Sequence, residues 1–405
     1  MTIPKGLRVI PVSDRAWLMA ALGDALAGGA PILPITDDPG QAEHAAALQR
    51  ADLPEGTAVV IRTSGSSGVP KAVALSAAAL RASAEATHER LGGPGQWLVT
   101  LPAQLISGLQ MLVRSAHAGT QPVFFDGHFE PEALLAAAER MEGERRYVSL
   151  VPVQFMRLLD LAERDAAAAE TLRRFDAVLV GGQAITLEMR RRAYALEIEL
   201  RRSYGMTETA GGCVYDGVEI GDTLVRIRGG EVQLAGASLA LGYVGDAALT
   251  NDCFITEADG TRWYRTGDAG ELLGGMLTVT GRLDRVIISG GINVALDEVE
   301  RVVRELPGWA DACALGTADP VWGERVHLVR TTSTDTSDTS FADASAAVRA
   351  ALGVAAEPTG ETVVDAIPRL AGEKPDRAAL AALCGTAAPD AGAPAQKTDD
   401  TKETA

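Results

Sequence analysis

The 405-residue sequence predicts an α/β protein of composite build. A large N-terminal multi-layer α/β domain with a β-rich subdomain is followed by a small C-terminal α+β domain. Three observations predict it. Apolar runs of strand length alternate with helical-period stretches from residue 13 to residue 180, the pattern of a largely parallel sheet with helical crossovers. After about Leu224 the texture changes to short strands and Gly turns, as in VRIRGGEVQLAG and ELLGGMLTVTG. From Asp284 a small unit of strands and helices begins.

The elements follow in order. Apolar residues at helical spacing behind a Ser/Asp cap predict a helix over 13–27, feeding a short strand over 30–35. TAVVIR, residues 57–62, reads as a strand running into a Gly/Ser loop, and the Ala-rich stretch 76–91 behind it as a helix. Further strands are expected over 97–101, 122–125, 147–151 and 177–180, with helices such as 131–141 and 154–162 between them. Beyond Asp284 the pattern predicts a VIISG strand, a helix over 295–305, strands over 312–315 and 326–330, and a helix near 342–352. The Thr/Ser/Asp tract 331–340 reads as a mobile loop. Residues 386–405 carry no large apolar side chain and are expected to be a disordered tail. The domains are therefore expected at 1–283 and 284–385, with the tail at 386–405.

Composition narrows the function. Acids outnumber bases by 54 to 37, so no positive excess is available for nucleic acid or an anionic membrane surface. No apolar run reaches the ~18 residues of a membrane span, and the first residues lack the pattern of an export signal, so the expected setting is cytoplasmic. Cys213, Cys253, Cys313 and Cys384 form no CxxC pair, and the five histidines include no HxH or HExxH. Neither a disulfide framework nor a zinc site is in view.

The chemistry lies in the loop TSGSSGVPK. In Thr63, Ser64, Gly65, Ser66, Ser67, Gly68 and Lys71, glycines let backbone N–H groups approach phosphate oxygens, hydroxyls add donors, and the lysine adds charge. It is not a Walker A loop, since GK[ST] is absent and Pro70 precedes the lysine, and the GxSxG nucleophile elbow does not fit.

Together with four downstream motifs, this loop resembles the adenylate-forming superfamily of acyl-CoA synthetases, luciferases and peptide-synthetase adenylation domains, over about residues 55–377. Tyr204-Gly205-Met206-Thr207-Glu208 is similar to the family's YGxTE. The resemblance implies that the Thr207 hydroxyl meets the α-phosphate of ATP and that Glu208 helps hold Mg²⁺. Tyr264-Arg265-Thr266-Gly267-Asp268 resembles [YF]RTGD, in which the Asp accepts the ribose hydroxyls. Gly281-Arg282-Leu283-Asp284 is similar to the GRxD ending the large domain, with Arg282 near the ribose and Asp284 as hinge of a mobile small domain. Gly290-Gly291 looks like the glycine pair that passes the coenzyme A arm, and Gly182-Gln183 like the turn along adenine and acyl group. The segment 368–377 resembles the one carrying the adenylation lysine, here Lys374, although Glu373 separates it from Gly372.

The stretch SLVPVQFMRLL, residues 149–159, and the run from Leu101-Pro102 to Arg114 resemble o-succinylbenzoate-CoA ligases of menaquinone biosynthesis. Where relatives often carry an aromatic and a histidine, this chain has Gln104 and Leu105. The resemblance implies an aromatic dicarboxylate, ATP and CoA as small-molecule partners, no nucleic acid and no membrane insertion, with a homo-oligomer open to it. Two other readings stand beside it: a stand-alone enzyme loading an aryl or amino acid onto a carrier protein, and an inactive nucleotide-binding relic.

Overall fold

Four sheets and their helical layers make up the computed structural model, which describes residues 6–64, 70–332, 338–370, 372 and 374–385. Gly65, Ser66, Ser67 and Gly68 of the phosphate loop lie outside the described residues, as do 333–337 of the Thr/Ser/Asp tract and the tail 386–405.

The first sheet holds β1 (Arg8–Pro11), β2 (Ile32–Ile35), β3 (Thr57–Ser64) and β4 (Pro70–Ser76). The second holds β5 (Gln96–Val99), β6 (Val123–Phe124), β7 (Arg146–Leu150), β8 (Ala177–Gly181), β9 (Leu200–Met206), β10 (Gly211–Tyr215) and β11 (Val218–Glu219). Its order is β11-β10-β9-β8-β7-β5-β6, parallel from β9 to β6 and antiparallel at β9-β10-β11. The third is built on β12 (Leu224–Arg228) and β13 (Glu231–Ala235); β14 (Gly242–Tyr243) returns to the first sheet beside β4. β15 (Phe254–Thr256), β16 (Arg262–Leu273) and β17 (Met276–Arg282) complete the third, and β18 (Val286–Ser289), β19 (Ile292–Ala295), β20 (Cys313–Asp319), β21 (Gly323–Thr331) and β22 (Gly360–Val364) form the fourth.

Alternation along the central strands explains the layering. On β5, β7 and β8, Trp97, Tyr147, Ala177 and Leu179 face one core, while Leu98, Val148, Val178 and Val180 face the other. The first core also takes Val59, Ile61, Val73 and Leu75 of the first sheet, so helices Arg15–Leu26, Ala77–Arg90 and Ile106–Ala118 lie between the two sheets. The far face of the second sheet is covered by helices Pro131–Ala138, Pro152–Arg164 and Ala166–Arg173. Local caps agree with this: Asp14 and Ser76 each accept a backbone N–H of the following helix. The fourth sheet has its own core, in which Val299 and Val303 of helix Leu296–Arg304 meet Trp309, Val326, Leu328 and Val348.

One expectation is corrected. The Gly/Ser loop does not run from strand to helix; β4 intervenes, so the loop is the tip of a β3–β4 hairpin in which Thr63 opposes Lys71. The Ala-rich run is the helix Ala77–Arg90 as expected, but the residues before it, Pro70–Ser76, are paired on both sides, with β3 and β14, and Val73, Ala74 and Leu75 are fully buried. Burial and pairing outweigh a per-residue propensity of well under ~1 kcal/mol.

Candidate active site

The YGMTE segment leaves the second sheet at the end of β9 and makes a single tight turn, Thr207–Thr209, before Ala210 enters the left-handed region at φ 50° and β10 returns. The Thr209 hydroxyl clamps this turn: it accepts from Met206 N at 3.0 Å and lies 2.7 Å from Gly211 O. Thr207 and Glu208 are both buried. Glu208 Oε1 accepts a hydrogen bond from the Tyr243 hydroxyl at 2.8 Å, and burial followed by the Glu208 charge pushes the Tyr243 pKa far up, keeping that hydroxyl a donor. Tyr243 also lies under Lys71, whose Nζ sits 5.6 Å from the ring centroid. Glu208 Oε2 accepts no hydrogen bond from a described residue.

Asp268 approaches the same place from the third sheet. The β16–β17 register sets it opposite Arg282, whose Nη1 donates to Oδ1 at 3.1 Å, while the Tyr204 hydroxyl donates to Oδ2 at 2.7 Å. Thr266 Oγ accepts from Asp268 N at 2.9 Å and fixes the turn. Burial raises the Asp268 pKa, opposed by Tyr204, Arg282 and Lys374. Each carboxylate oxygen has two acceptor directions, so after Tyr204 and Arg282 are served one remains on each. Gly267, at φ +70°, has no Cβ, and one placed there would come within 3.2 Å of Arg282 Nη2. Arg282 is held from its other side by both Asp284 oxygens, at 3.0 and 2.9 Å.

Lys374 arrives from far along the chain. Arg369 and Pro375 pair as an antiparallel bridge and Leu370 N donates to Lys374 O, closing a short loop. This loop rests on Leu105, 3.3 Å from where a Gly372 Cβ would stand. Lys374 Cε lies 4.0 Å from the Cβ position of Gly182, a glycine at φ +83° at the end of β8. The side chain is open to solvent along the cleft yet has protein around it. Burial lowers its pKa and Arg282 adds to that, while Asp268 and Glu208 push it back up. One cleft thus collects an ammonium, two carboxylates and a guanidinium.

Chemically, such a set offers cations to anionic oxygens and carboxylate acceptors to hydroxyl groups. The profile of the family described as AMP-binding enzyme matches residues 17–276. The chain belongs to that family. The probable 2-succinylbenzoate-CoA ligase of Mycobacterium tuberculosis (strain ATCC 25618 / H37Rv) is 37% identical over 382 residues, 93% of this chain and 97% of that protein. The 2-succinylbenzoate-CoA ligase of Escherichia coli (strain K12) is 33% identical over 273 residues, 65% of this chain and 56% of that protein. Among solved structures, an Escherichia coli MenE variant with bound OSB-AMS matches with a TM-score of 0.73 at 26% identity, over 95% of this chain and 88% of that one. The amide bond synthetase McbA from Marinactinospora thermotolerans matches with a TM-score of 0.71 at 26% identity, over 92% and 83%.

In this AMP-binding enzyme, Lys71, Gly182, Tyr204, Thr207, Glu208, Asp268, Arg282 and Lys374 line one region, with Gln183 beside Gly182 in the turn after β8. Thr63 and Ser64 end β3 at the neck of the hairpin. Gly290 and Gly291 are not among them. They form the two-residue turn between β18 and β19, at φ +59° and +81°, where Gly290 N donates to Trp322 O at 2.8 Å. Among the described residues the turn makes no hydrogen bond to Asp268, Glu208 or Lys374. Two residues escaped the sequence reading: Tyr243, whose LGY context carries no local signal of burial against Glu208, and the burial of Arg114.

Arg114 lies on helix Ile106–Ala118 and is 3% exposed. Its guanidinium sits 4.8 Å over the Trp97 ring, Nη2 is 3.3 Å from the Tyr215 hydroxyl, and Nε has no partner among the described residues. Among the described residues no carboxylate pairs with it. One turn earlier, Gln110 Nε2 donates to Ala210 O at 2.6 Å, beside the Thr207–Thr209 turn. Gln104 Oε1 is likewise buried and unpartnered.

Proposed function

We propose that the protein is an ATP-dependent acid-thiol ligase that converts o-succinylbenzoate to o-succinylbenzoyl-CoA through an acyl-adenylate. The observation that carries the adenylating chemistry is the meeting of Glu208, Asp268–Arg282 and Lys374, from three separated segments, in one cleft. The likeness along nearly the full chain to the probable 2-succinylbenzoate-CoA ligase of Mycobacterium tuberculosis supports the acid.

In this reading the two free acceptor directions of Asp268 take the ribose hydroxyls, and Arg282 and Tyr204 hold that carboxylate in place. The β3–β4 hairpin brings Lys71 and Thr63 to the phosphates, and Thr207 donates to the α-phosphate. A carboxylate oxygen of the acid bonds to the α-phosphorus as the bond to pyrophosphate breaks. Lys374 and Lys71 neutralise the charge that shifts to the phosphate oxygens. The CoA sulfur then bonds to the acyl carbon as the bond to AMP oxygen breaks.

Mg²⁺ fits the donor set. It prefers oxygen ligands, keeps waters, and is usually held by one or two carboxylates with substrate phosphates; Glu208 offers one buried carboxylate whose Oε2 accepts from no donor among the described residues. Its chemistry would be to neutralise phosphate charge. For the thiol step, residues 284–385 are taken as a unit that turns about Asp284 and brings the Gly290–Gly291 turn to the pantetheine arm. ATP and CoA pools place the reaction in the cytoplasm. No helix among the described residues is long and apolar enough to cross a membrane.

The remote carboxylate of the acid needs a cation, and Arg114 supplies the best candidate. A buried guanidinium without a carboxylate is costly, and burial already lowers its pKa. A substrate carboxylate would complete it.

ATP-pyrophosphate exchange with a panel of acids, followed by addition of CoA, tests this. Exchange with o-succinylbenzoate and formation of its thioester are expected, and Arg114→Gln should weaken the dicarboxylate far more than a monocarboxylic benzoate. Exchange confined to another acid would refute the substrate, and silence across the panel the activity. Because an amide bond synthetase is equally similar in fold, an amine belongs in the capture step beside CoA; amide formation without thioester would favour that second outcome.

A further inference from the structure

Helices Ala77–Arg90 and Ile106–Ala118 pack side by side against β10, and their seam is polar where a core seam is ordinarily apolar. Half of all buried side-chain polar atoms that lack a partner among the described residues lie along it: Ser83 Oγ, both ring nitrogens of His88, Gln110 Oε1, Arg114 Nε and, beneath Arg114, Trp97 Nε1. Buried polar groups are nearly always satisfied, so a concentration of orphans calls for a polar occupant. The seam begins beside the Thr207–Thr209 turn, where Gln110 Nε2 donates to Ala210 O. A Cβ on Gly211, two residues past the Thr207–Thr209 turn, would meet Gln110 Cγ at 3.1 Å and Ser83 Oγ at 3.8 Å. From there Gln110, Arg114 and His117 continue along one face of one helix, and Ser83, Thr87 and His88 along the other, with Thr87 and Arg114 both reaching the Tyr215 hydroxyl.

His88 stands out within it. It is 4% exposed, its ring stacks on His117 at 5.8 Å between centroids, and neither nitrogen has a partner among the described residues. A neutral imidazole offers one N–H donor, and the groups acting on it from the facing helix, Arg114 and His117, both disfavour a second proton. Burial, then Arg114, then His117, bring its pKa down to about 4, so at neutral pH it carries no charge. Arg114 supplies the charge in this seam and His88 an unused neutral donor.

We propose that His88 is a second reader of the acid's remote carboxylate, donating a hydrogen bond beside Arg114 and sharpening the preference for a dicarboxylate. This rests on the reading that the substrate is an aromatic dicarboxylate. Arg114 alone would attract any anion; a neutral donor at a set place adds geometry, since a carboxylate offers several acceptor directions and an ester or amide fewer.

The test is the ratio of kcat/KM in pyrophosphate exchange for o-succinylbenzoate over its monoester at the remote carboxyl. His88→Leu is expected to lower that ratio about tenfold, the effect of one neutral hydrogen bond. His88→Gln, which keeps an N–H donor, is expected to restore much of it. If His88→Leu fails to fold, the ratio for His88→Gln against His88→Met decides, both side chains being unbranched and of similar length. A wild type that exchanges with o-succinylbenzoate, but whose ratio is unmoved by loss of the donor, overturns this proposal and leaves the functional reading standing. A wild type inactive on o-succinylbenzoate overturns the substrate, and with it the basis for His88.

Discussion

Glu300 offers a quantitative test of how the lysine-bearing segment is held. Its carboxylate is fully buried in helix Leu296–Arg304 and takes Arg285 at 2.8 Å, Arg304 at 2.8 Å, Arg377 at 2.9 Å and the backbone N of Ala314 at 2.9 Å. Burial pushes its pKa up, but Arg377, Arg285 and Arg304 outweigh that and hold it down to about 2, against an ordinary 4.5. At about 1.36 kcal/mol per pH unit, that difference makes the charged form worth on the order of 3 kcal/mol to the folded chain. The carboxylate is depressed, so this stability is fully present above about pH 4.5 and lost as pH falls towards about 2. Glu300→Gln keeps the shape and leaves three guanidiniums facing one another, for which a loss of ~3–5 kcal/mol is expected. Arg377 opens helix Arg377–Leu383, three residues past Lys374, and Arg285 adjoins Asp284, so the damage should reach adenylation as well. Chemical denaturation at pH 7.5, monitored through Trp309 in the adjacent core, reads the loss. Repetition with Arg377→Gln and the double variant isolates the pair. A loss below ~1 kcal/mol for Glu300→Gln, or strict additivity with Arg377→Gln, would refute the hub.

Two further outcomes are expected. Lys374→Ala should reduce ATP-pyrophosphate exchange by roughly 100-fold or more while reducing thioester formation from pre-made acyl-adenylate much less; equal losses in both steps would remove Lys374 from the adenylation role. Gly290→Ala would hold an L-residue at φ +59° with its Cβ 2.5 Å from the Trp322 ring, so the turn must shift. Thioester formation should then fall several-fold more than exchange, and a parallel fall would argue against a CoA-guiding turn.

Much of this protein was readable along the chain because its causes are local. The caps Asp14 and Ser76 sit where short polar side chains precede helical periodicity, and each accepts the backbone N–H it was placed to accept. The glycine pair 290–291 stands in the only backbone region where a two-residue hairpin turn closes easily, and both glycines adopt positive φ. Apolar runs of strand length at β5, β7 and β8, separated by helical stretches, announced a largely parallel sheet, and the order of the motifs announced the family. What the chain could not announce were the results of distant pairing. Nothing along the chain sets β4 apart from the loop ahead of the helix; it is a strand because β3 and β14 flank it. Nothing near LGY marks Tyr243 as the donor to Glu208. Nothing near Arg114 shows that it would be buried over Trp97 without an acid, or that His88 would face it with both nitrogens unpaired. Lys374 belongs with Gly182 and Asp268 only because the loop closed by Arg369 and Pro375 packs on Leu105. Residue types and backbone preferences act over a few positions and so can be read in order, whereas burial, pairing and the fields of distant charges exist only once the chain has closed on itself.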